Sequence, residues 1–193
     1  MPEQNTLCGL PIRPGVLGNI SSQGIGARLI RMALGRSYNR LTGQPRRNCP
    51  THTFMIVRYD GQLWIADVVS PRSKLTSLAE YEADCADGRR WAMQLFEPGC
   101  ISDEAMLYAA DWWIEHRLGR PYDWPAFGRL GLKALFGDIF PSSAGLEWAD
   151  WCTESFMLAY LNGPGLDLFR NLNPTPVTLV KRWRDEIFHE ITQ

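Results

Sequence analysis

The 193 residues suit one domain over residues 1–193, long enough to close a full hydrophobic core. A formal charge of −1 gives no electrostatic case for a nucleic-acid partner, and the local clusters Arg46-Arg47, Arg89-Arg90 and Lys181-Arg182 with Arg184 read as solvated faces. No run approaches the ~20 apolar residues of a membrane span. The first ten residues lack a basic segment followed by an apolar one, and five cysteines without close pairing suit a reducing compartment better than a disulfide framework.

From Met1 to about Cys49 the chain is rich in Gly, Pro, Arg and Asn. It carries one amphipathic pattern, from about Ile25 to Leu34, in which Ile25, Leu29, Ile30 and Ala33 share a face and Gly35 is the expected stop. A hairpin follows: Thr53 to Tyr59, then Asp60-Gly61, then Gln62 to Val69. Asp-Gly between two β-branched and aromatic runs suits a two-residue type I′ turn, because both central positions need positive φ. Such a turn pairs Tyr59 with Gln62, Ile56 with Ile65, Phe54 with Asp67 and His52 with Val69. His52 and Asp67 then lie on one face as diagonal cross-strand neighbours, roughly 7–8 Å apart at Cα and within side-chain reach. A slip of one residue would send Asp67 to the other face.

Beyond the hairpin, Leu75 to Ala83 reads as a short helix with Ser73 or Thr76 as its cap, and Arg90 to Phe96 as a strand closed by Pro98-Gly99. A longer helix is expected from Ser102, an N-cap with Asp103 and Glu104 behind it, to Leu118, with Gly119 as its stop. Another, from about Pro125 to Phe136, carries the stripe Phe127, Leu130, Ala134 and Leu135, which suits core packing. The last helix begins at Thr175-Pro176 and runs to about Ile191, with Val177, Val180, Trp183 and Ile187 on one face.

Between these, Trp151-Cys152-Thr153-Glu154 opens a helix that ends at Asn162-Gly163-Pro164-Gly165. At a helix start, the unpaired backbone N–H groups and the positive end of the dipole favour the thiolate of Cys152, which is the nucleophilic form; Glu154 works slightly against this. A cysteine at a helix start, a histidine at a strand start and an acid facing that histidine make the set a thiol hydrolase needs. Cys152 would attack a carbonyl, His52 would move the proton, Asp67 would orient the imidazole, and the Cys152 backbone N–H would serve as an oxyanion donor. Tyr122, in Gly119-Arg120-Pro121-Tyr122-Asp123, is a candidate substrate-positioning residue, though Tyr-Asp before a helix also reads as a turn with Asp123 as cap. His116 and His189 fall on expected helices among charged residues and read as exposed. Cys49 with Cys85 or Cys100 lacks the paired knuckle of a zinc site, so no metal is expected.

The order Pro14-Gly15, Thr51-His52, Asp67, Gly119-Arg120-Pro121-Tyr122-Asp123, Cys152-Thr153-Glu154 and Thr175-Pro176 resembles the circularly permuted papain-like enzymes of the NlpC/P60 superfamily, nearest to the YiiX/YebB-like branch. The resemblance covers roughly Ile12 to Leu179. Val16 stands where relatives usually carry Asp, and Thr153 where they carry Ser. It implies an α+β, permuted papain-like fold and cysteine hydrolase chemistry on amide or ester bonds of a small peptide, amide or acyl substrate, with no metal or organic cofactor. Acyl transfer or lipid ester cleavage of the lecithin:retinol acyltransferase-like kind uses the same Cys-His pair, and a binding module with a dead site is the third alternative. With no export signal in the chain, a cytoplasmic protein or one delivered by another machine, such as a phage tail, is expected.

Overall fold

The structure is a computed structural model that describes residues 5–99, 101–125, 128, 152–167, 175–184 and 188–191. Its strands are β1 (Thr6–Leu7), β2 (Leu10–Pro11), β3 (Leu17–Ser22), β4 (His52–Tyr59), β5 (Gln62–Val68), β6 (Ser73–Ser77), β7 (Arg90–Pro98) and β8 (Phe188–Ile191). Its helices are α1 (Ile25–Thr42), α2 (Leu78–Ala86), α3 (Asp103–Arg117), α4 (Cys152–Asn162) and α5 (Pro176–Arg184). The architecture is α+β: β1 and β2 form a small hairpin, and the other strands form one antiparallel sheet in the order β6-β5-β4-β3-β7-β8, packed against helices.

The Asp60-Gly61 turn sets the register at the centre of this sheet. Both residues have positive φ, 50° and 75°, and Tyr59 pairs with Gln62, Ile56 with Ile65 and Phe54 with Asp67. Alternation along β4 and β5 then sorts the side chains onto two faces. Met55, Val57, Ala66 and Val68 join Ala109, Ala110 and Trp113 of α3, Phe156, Ala159 and Tyr160 of α4, and Val177 and Val180 of α5. Phe54, Ile56 and Ile65 join Tyr81 of α2 and Leu7 of the small hairpin. Both faces of β4 are therefore apolar, which accounts for its nearly unbroken hydrophobic run.

Several expected boundaries move. Gly35 lies buried inside α1, which continues to Thr42 and stops at Gly43, whose N–H bonds the Asn39 carbonyl at 2.8 Å. The core face of α1 is Ala27, Ile30, Gly35 and Tyr38, whereas Ile25 and Leu29 point to solvent. Residues 73–77 form strand β6, so α2 begins later than expected, with the Ser77 hydroxyl accepting from the Glu80 N–H. Pairing with β5 wins here over the helical pattern. Ser102 caps α3 as expected, accepting from the Ala105 N–H at 3.3 Å. Helix α5 starts at Pro176 but ends at Arg184; Phe188 to Ile191 instead extend the sheet beside β7, so His189 is on a strand. The expected helix stripe Phe127, Leu130, Ala134 and Leu135 lies outside the described residues, as do Trp151, Cys100 and Ile187.

Strand β3, unforeseen in the Gly- and Pro-rich opening, is a central strand. The Phe54 ring lies flat against Gly18, where a Cβ would come within 2.0 Å of the ring Cζ. Because Phe54 is fully buried, it has nowhere to move. Gly18→Ala is therefore expected to cost about 3 kcal/mol of stability, the upper end for overpacking a core. The drop would appear as a lower urea midpoint at unchanged slope, and an unchanged midpoint would show that the ring can move aside.

Candidate active site

Three elements meet at the end of β4. Thr51, just ahead of His52, is tied to β3: its N–H donates to the Ile20 carbonyl at 3.0 Å, and its hydroxyl accepts from the Ser22 N–H at 2.9 Å. His52, the first residue of the strand and paired with Ile20, is thereby fixed. Helix α4 approaches from the opposite face of the sheet. There Thr153 and Thr53 bond through their hydroxyls at 2.9 Å, Thr53 donates to the Asn19 side-chain carbonyl at 3.0 Å, and Asn19 donates to the Pro176 carbonyl at 2.7 Å. This buried polar chain joins β3, β4, α4 and the start of α5. Its directional bonds set the position of the helix start more tightly than apolar contact alone. The Trp113 indole N–H donates to Ser155 at 2.8 Å, and the Tyr160 hydroxyl donates to the Gly15 carbonyl at 2.5 Å. Gly15 in turn donates its N–H to Ile56 of β4 at 2.8 Å, which anchors the Pro14-Gly15 segment whose following residue is Val16.

His52 Nε2 and Asp67 Oδ1 are 2.5 Å apart, so the diagonal pair on the hairpin makes direct contact. With Nε2 engaged by Asp67, Nδ1 is the ring nitrogen left for Cys152, whose charge and that of His52 favour each other. The thiol lies 3.9 Å from the Thr153 hydroxyl. Cys152 is the first residue of α4 among the described residues, and none of these offers an intrahelical acceptor to its backbone N–H.

Asp67 is fully buried. Burial alone pushes its carboxyl up, but His52, Arg90 and Lys74 together hold it below the usual carboxylate range. Thr76 of β6 donates to Oδ2 at 3.2 Å, and Arg90 Nη2 stands 3.6 Å from the same oxygen. Arg90 is itself held by Asp84 at 3.0 Å and stacked over the Tyr81 ring at 4.0 Å. Thr76 and Arg90 are the residues that sequence reasoning missed. Arg90, read as part of a solvated cluster, is a mostly buried partner of the carboxylate. The signal that could have found it is its place at the start of a strand, where an arginine can reach inward past the sheet end.

Burial pushes the His52 imidazolium down, yet the Asp67 charge and hydrogen bond and the Cys152 partner raise it to about 9. Burial likewise pushes the Cys152 thiol up, and His52, the Thr53 backbone and Thr153 bring it below its ordinary value. Each group thus shifts the other towards its charged form, the direction of a thiolate–imidazolium pair. The other described cysteines go the opposite way: burial drives Cys49 and Cys8 up to about 12 and also raises Cys85.

A groove of about 670 Å³ opens over His52. Gly26, Ala27 and Ile30 of α1 form one wall, Val68, Val69 and Ser70 another, and the charged cluster Asp84, Arg89 and Arg90 lies along it. Tyr122 and Trp124 also line it, their rings edge-on at 5.1 Å. The Tyr122 phenol is pushed up by burial and then by the Cys152 and Asp123 charges, so it remains a neutral donor close to the thiolate. Cys152 is 4% exposed and lies beneath the lining, so the groove presents the imidazole side of the pair. His116 does not line the groove; it is stacked on Trp112 with Nδ1 2.9 Å from the Trp112 carbonyl oxygen. His189 is exposed on β8. Among the described residues no cluster of three His, Cys, Asp or Glu could hold a metal ion.

No known protein-family model matches the chain, and no curated protein matches it in sequence.

Titration tests the pair directly. The His52 ring in the native protein is expected to titrate near 9 by NMR, and in Asp67→Asn to fall to 6.5 or below, the ordinary imidazole value. A histidine raised from 6.5 to about 9 adds stability that is complete below pH 6.5 and is lost as pH rises through 9. The excess stability of the parent over Asp67→Asn is therefore expected to shrink across that window. An excess that is flat in pH would show that Asp67 acts by packing alone.

Proposed function

We propose that this protein is a cysteine hydrolase of permuted papain-like, NlpC/P60-type fold, with Cys152 as nucleophile, His52 as general acid–base and Asp67 as the residue that orients the imidazole. The observation that carries the reading is the convergence of Cys152, at the first residue of a helix, with a histidine whose other ring nitrogen is held by a buried carboxylate at 2.5 Å. Hydrogen-bonded order of thiol, imidazole and carboxylate is what thiol-dependent acyl chemistry requires.

In the reaction, the Cys152 thiolate attacks the substrate carbonyl carbon, and the Cys152 N–H donates to the oxygen that becomes negative. The tetrahedral species expels the amine or alcohol, which takes the proton from the His52 imidazolium, leaving a thioester. His52, now neutral, takes a proton from water as the hydroxide adds to the thioester, and collapse returns the thiolate and imidazolium with release of the acid. Asp67 stabilises the imidazolium at both ends of the cycle without itself gaining a proton. Tyr122, a neutral donor on the groove wall, is positioned to hold the acyl portion or the attacking water. Charged Asp84 and Arg89 in the lining favour a small peptide or amide substrate with polar ends.

A second reading, acyl transfer or lipid ester cleavage, is favoured by the other part of the same groove, where Ala27, Ile30, Val68, Val69 and Trp124 provide an apolar lining. The two share every step up to the thioester and part at its acceptor.

Iodoacetamide labelling from pH 5 to 10, with mass spectrometry to assign the modified cysteine, tests the nucleophile. Cys152 is expected to label first near neutral pH, with an apparent pKa well below the ~8.5 of a free cysteine. His52→Ala is expected to slow its labelling at pH 7 by at least about tenfold, because a buried thiolate without its cation reverts to a thiol. Labelling of Cys152 that is no faster than that of Cys49, or that is indifferent to His52, would reject the hydrolase reading. Incubation with a short acyl thioester and with a dipeptide amide then separates the two acceptors by which product carries the acyl group.

A further inference from the structure

The outer face of α1 is the wrong chemistry for a solvated helix. Ile25, Leu29 and Met32, at i, i+4 and i+7, form one stripe and are 80%, 43% and 69% exposed. Arg36 continues that stripe at i+11, and Arg28 and Arg40 flank it on opposite sides; all are exposed. Single exposed apolar residues need no explanation, but three in a row on one helix face mark an interaction surface.

Charge says what that surface meets. Gln4 to Tyr59 contains eight arginines and no acidic residue, although the whole chain is balanced at −1. Among the described residues, Arg28, Arg36 and Arg40 enter no ion pair, in contrast to Arg13, Arg89 and Arg90, which do. An apolar stripe bordered by unpaired arginines matches the boundary between acyl chains and anionic headgroups. It does not match a nucleic-acid backbone, which offers no apolar layer for Ile25 or Met32, nor a second copy of this face, which would oppose arginine to arginine.

We propose that α1 docks the protein on an anionic phospholipid bilayer, with Ile25, Leu29 and Met32 at the acyl boundary and Arg28, Arg36 and Arg40 on lipid phosphates. The helix lies in the plane of the interface and does not span it; no helix of the described residues is long and apolar enough to cross a membrane. Gly26, Ala27 and Ile30 on the adjoining face line the groove, so docking sets the groove beside the bilayer. The proposal is independent of the chemistry at Cys152, because its readout is binding.

Flotation with vesicles of equal parts phosphatidylcholine and phosphatidylglycerol, and of phosphatidylcholine alone, tests it on the intact protein. Binding is expected on the mixed vesicles, weaker on phosphatidylcholine and reduced by salt. Arg36→Gln and Arg40→Gln should each weaken binding to mixed vesicles about fivefold. Ile25→Asn with Met32→Asn should weaken it at least about tenfold, with the melting temperature unchanged because both side chains are already in solvent. No flotation would overturn the proposal. So would flotation that the Asn substitutions leave intact, since charge alone would then suffice. Concentration-dependent self-association abolished by Met32→Asn would assign the face to a second copy instead, and single-stranded RNA binding insensitive to the Asn substitutions would assign it to nucleic acid.

Discussion

A carboxylate with no access to water is the constraint around which the sheet is arranged. Asp67 can remain ionised in the interior only because His52, Thr76 and Arg90 reach it from three other strands, β4, β6 and β7. An isolated buried carboxylate is far more costly than a buried polar group, so each partner offsets a penalty that the others could not offset alone. The same requirement dictates the register. Asp67 must share a face with His52, and the Asp60-Gly61 turn is what makes β4 and β5 meet in that phase. Arg90 brings α2 into the arrangement, because it reaches Asp67 while packed on Tyr81 and paired with Asp84. A hairpin, a helix and the far strand β7 thus converge on one charge.

That charge is then passed outward in sign. Asp67 favours protonated His52, and protonated His52 favours ionised Cys152, so the interior carboxylate acts on the thiol through the imidazole between them. The helix start adds in the same direction, since the positive end of the α4 dipole lies at Cys152. Apolar packing holds α4 against β4, and the chain Thr153-Thr53-Asn19-Pro176 fixes its register along the strand. Apolar contacts alone would tolerate a small slide of the helix, whereas a hydroxyl bond at 2.9 Å between Thr53 and Thr153 would not.

The parts legible in the sequence were those fixed by local rules. An Asp-Gly turn has one preferred geometry, and that geometry settles which side chains of β4 and β5 share a face. Ser102 before Asp103-Glu104, and Thr175 before Pro176, mark helix starts because their chemistry suits unpaired N–H groups. What escaped was whatever depends on partners distant in sequence. Strand β3 looks like a loop because Gly18 and Asn19 are poor strand formers; they are present because Phe54 needs the space over Gly18 and Thr53 needs the Asn19 acceptor. Strand β8 follows a helix by so few residues that helical periodicity ran on through it, and only pairing with β7 reveals it. Arg90 reads as a surface charge until the carboxylate it serves is located.

The outward face of α1 escapes the sequence for a different reason. Periodicity alone identified an apolar face on Ile25, Leu29, Ile30 and Ala33, but periodicity cannot tell a face turned to the core from one turned outward. Helix α1 has apolar residues on both sides: Ala27, Ile30 and Tyr38 meet the protein, while Ile25, Leu29 and Met32 meet solvent. A helix apolar on both sides belongs in an interior, yet this one lies within an acid-free segment whose arginines would be costly there. An interface between an apolar layer and an anionic one resolves the conflict, because it accepts the apolar stripe and the arginines on the same face of the same helix. The buried site and the proposed docking of α1 thus follow one rule in opposite settings: a charge is tolerated beside apolar surface where a counter-charge meets it, Asp67 for His52 in the interior and lipid phosphate for the arginines on the proposed bilayer.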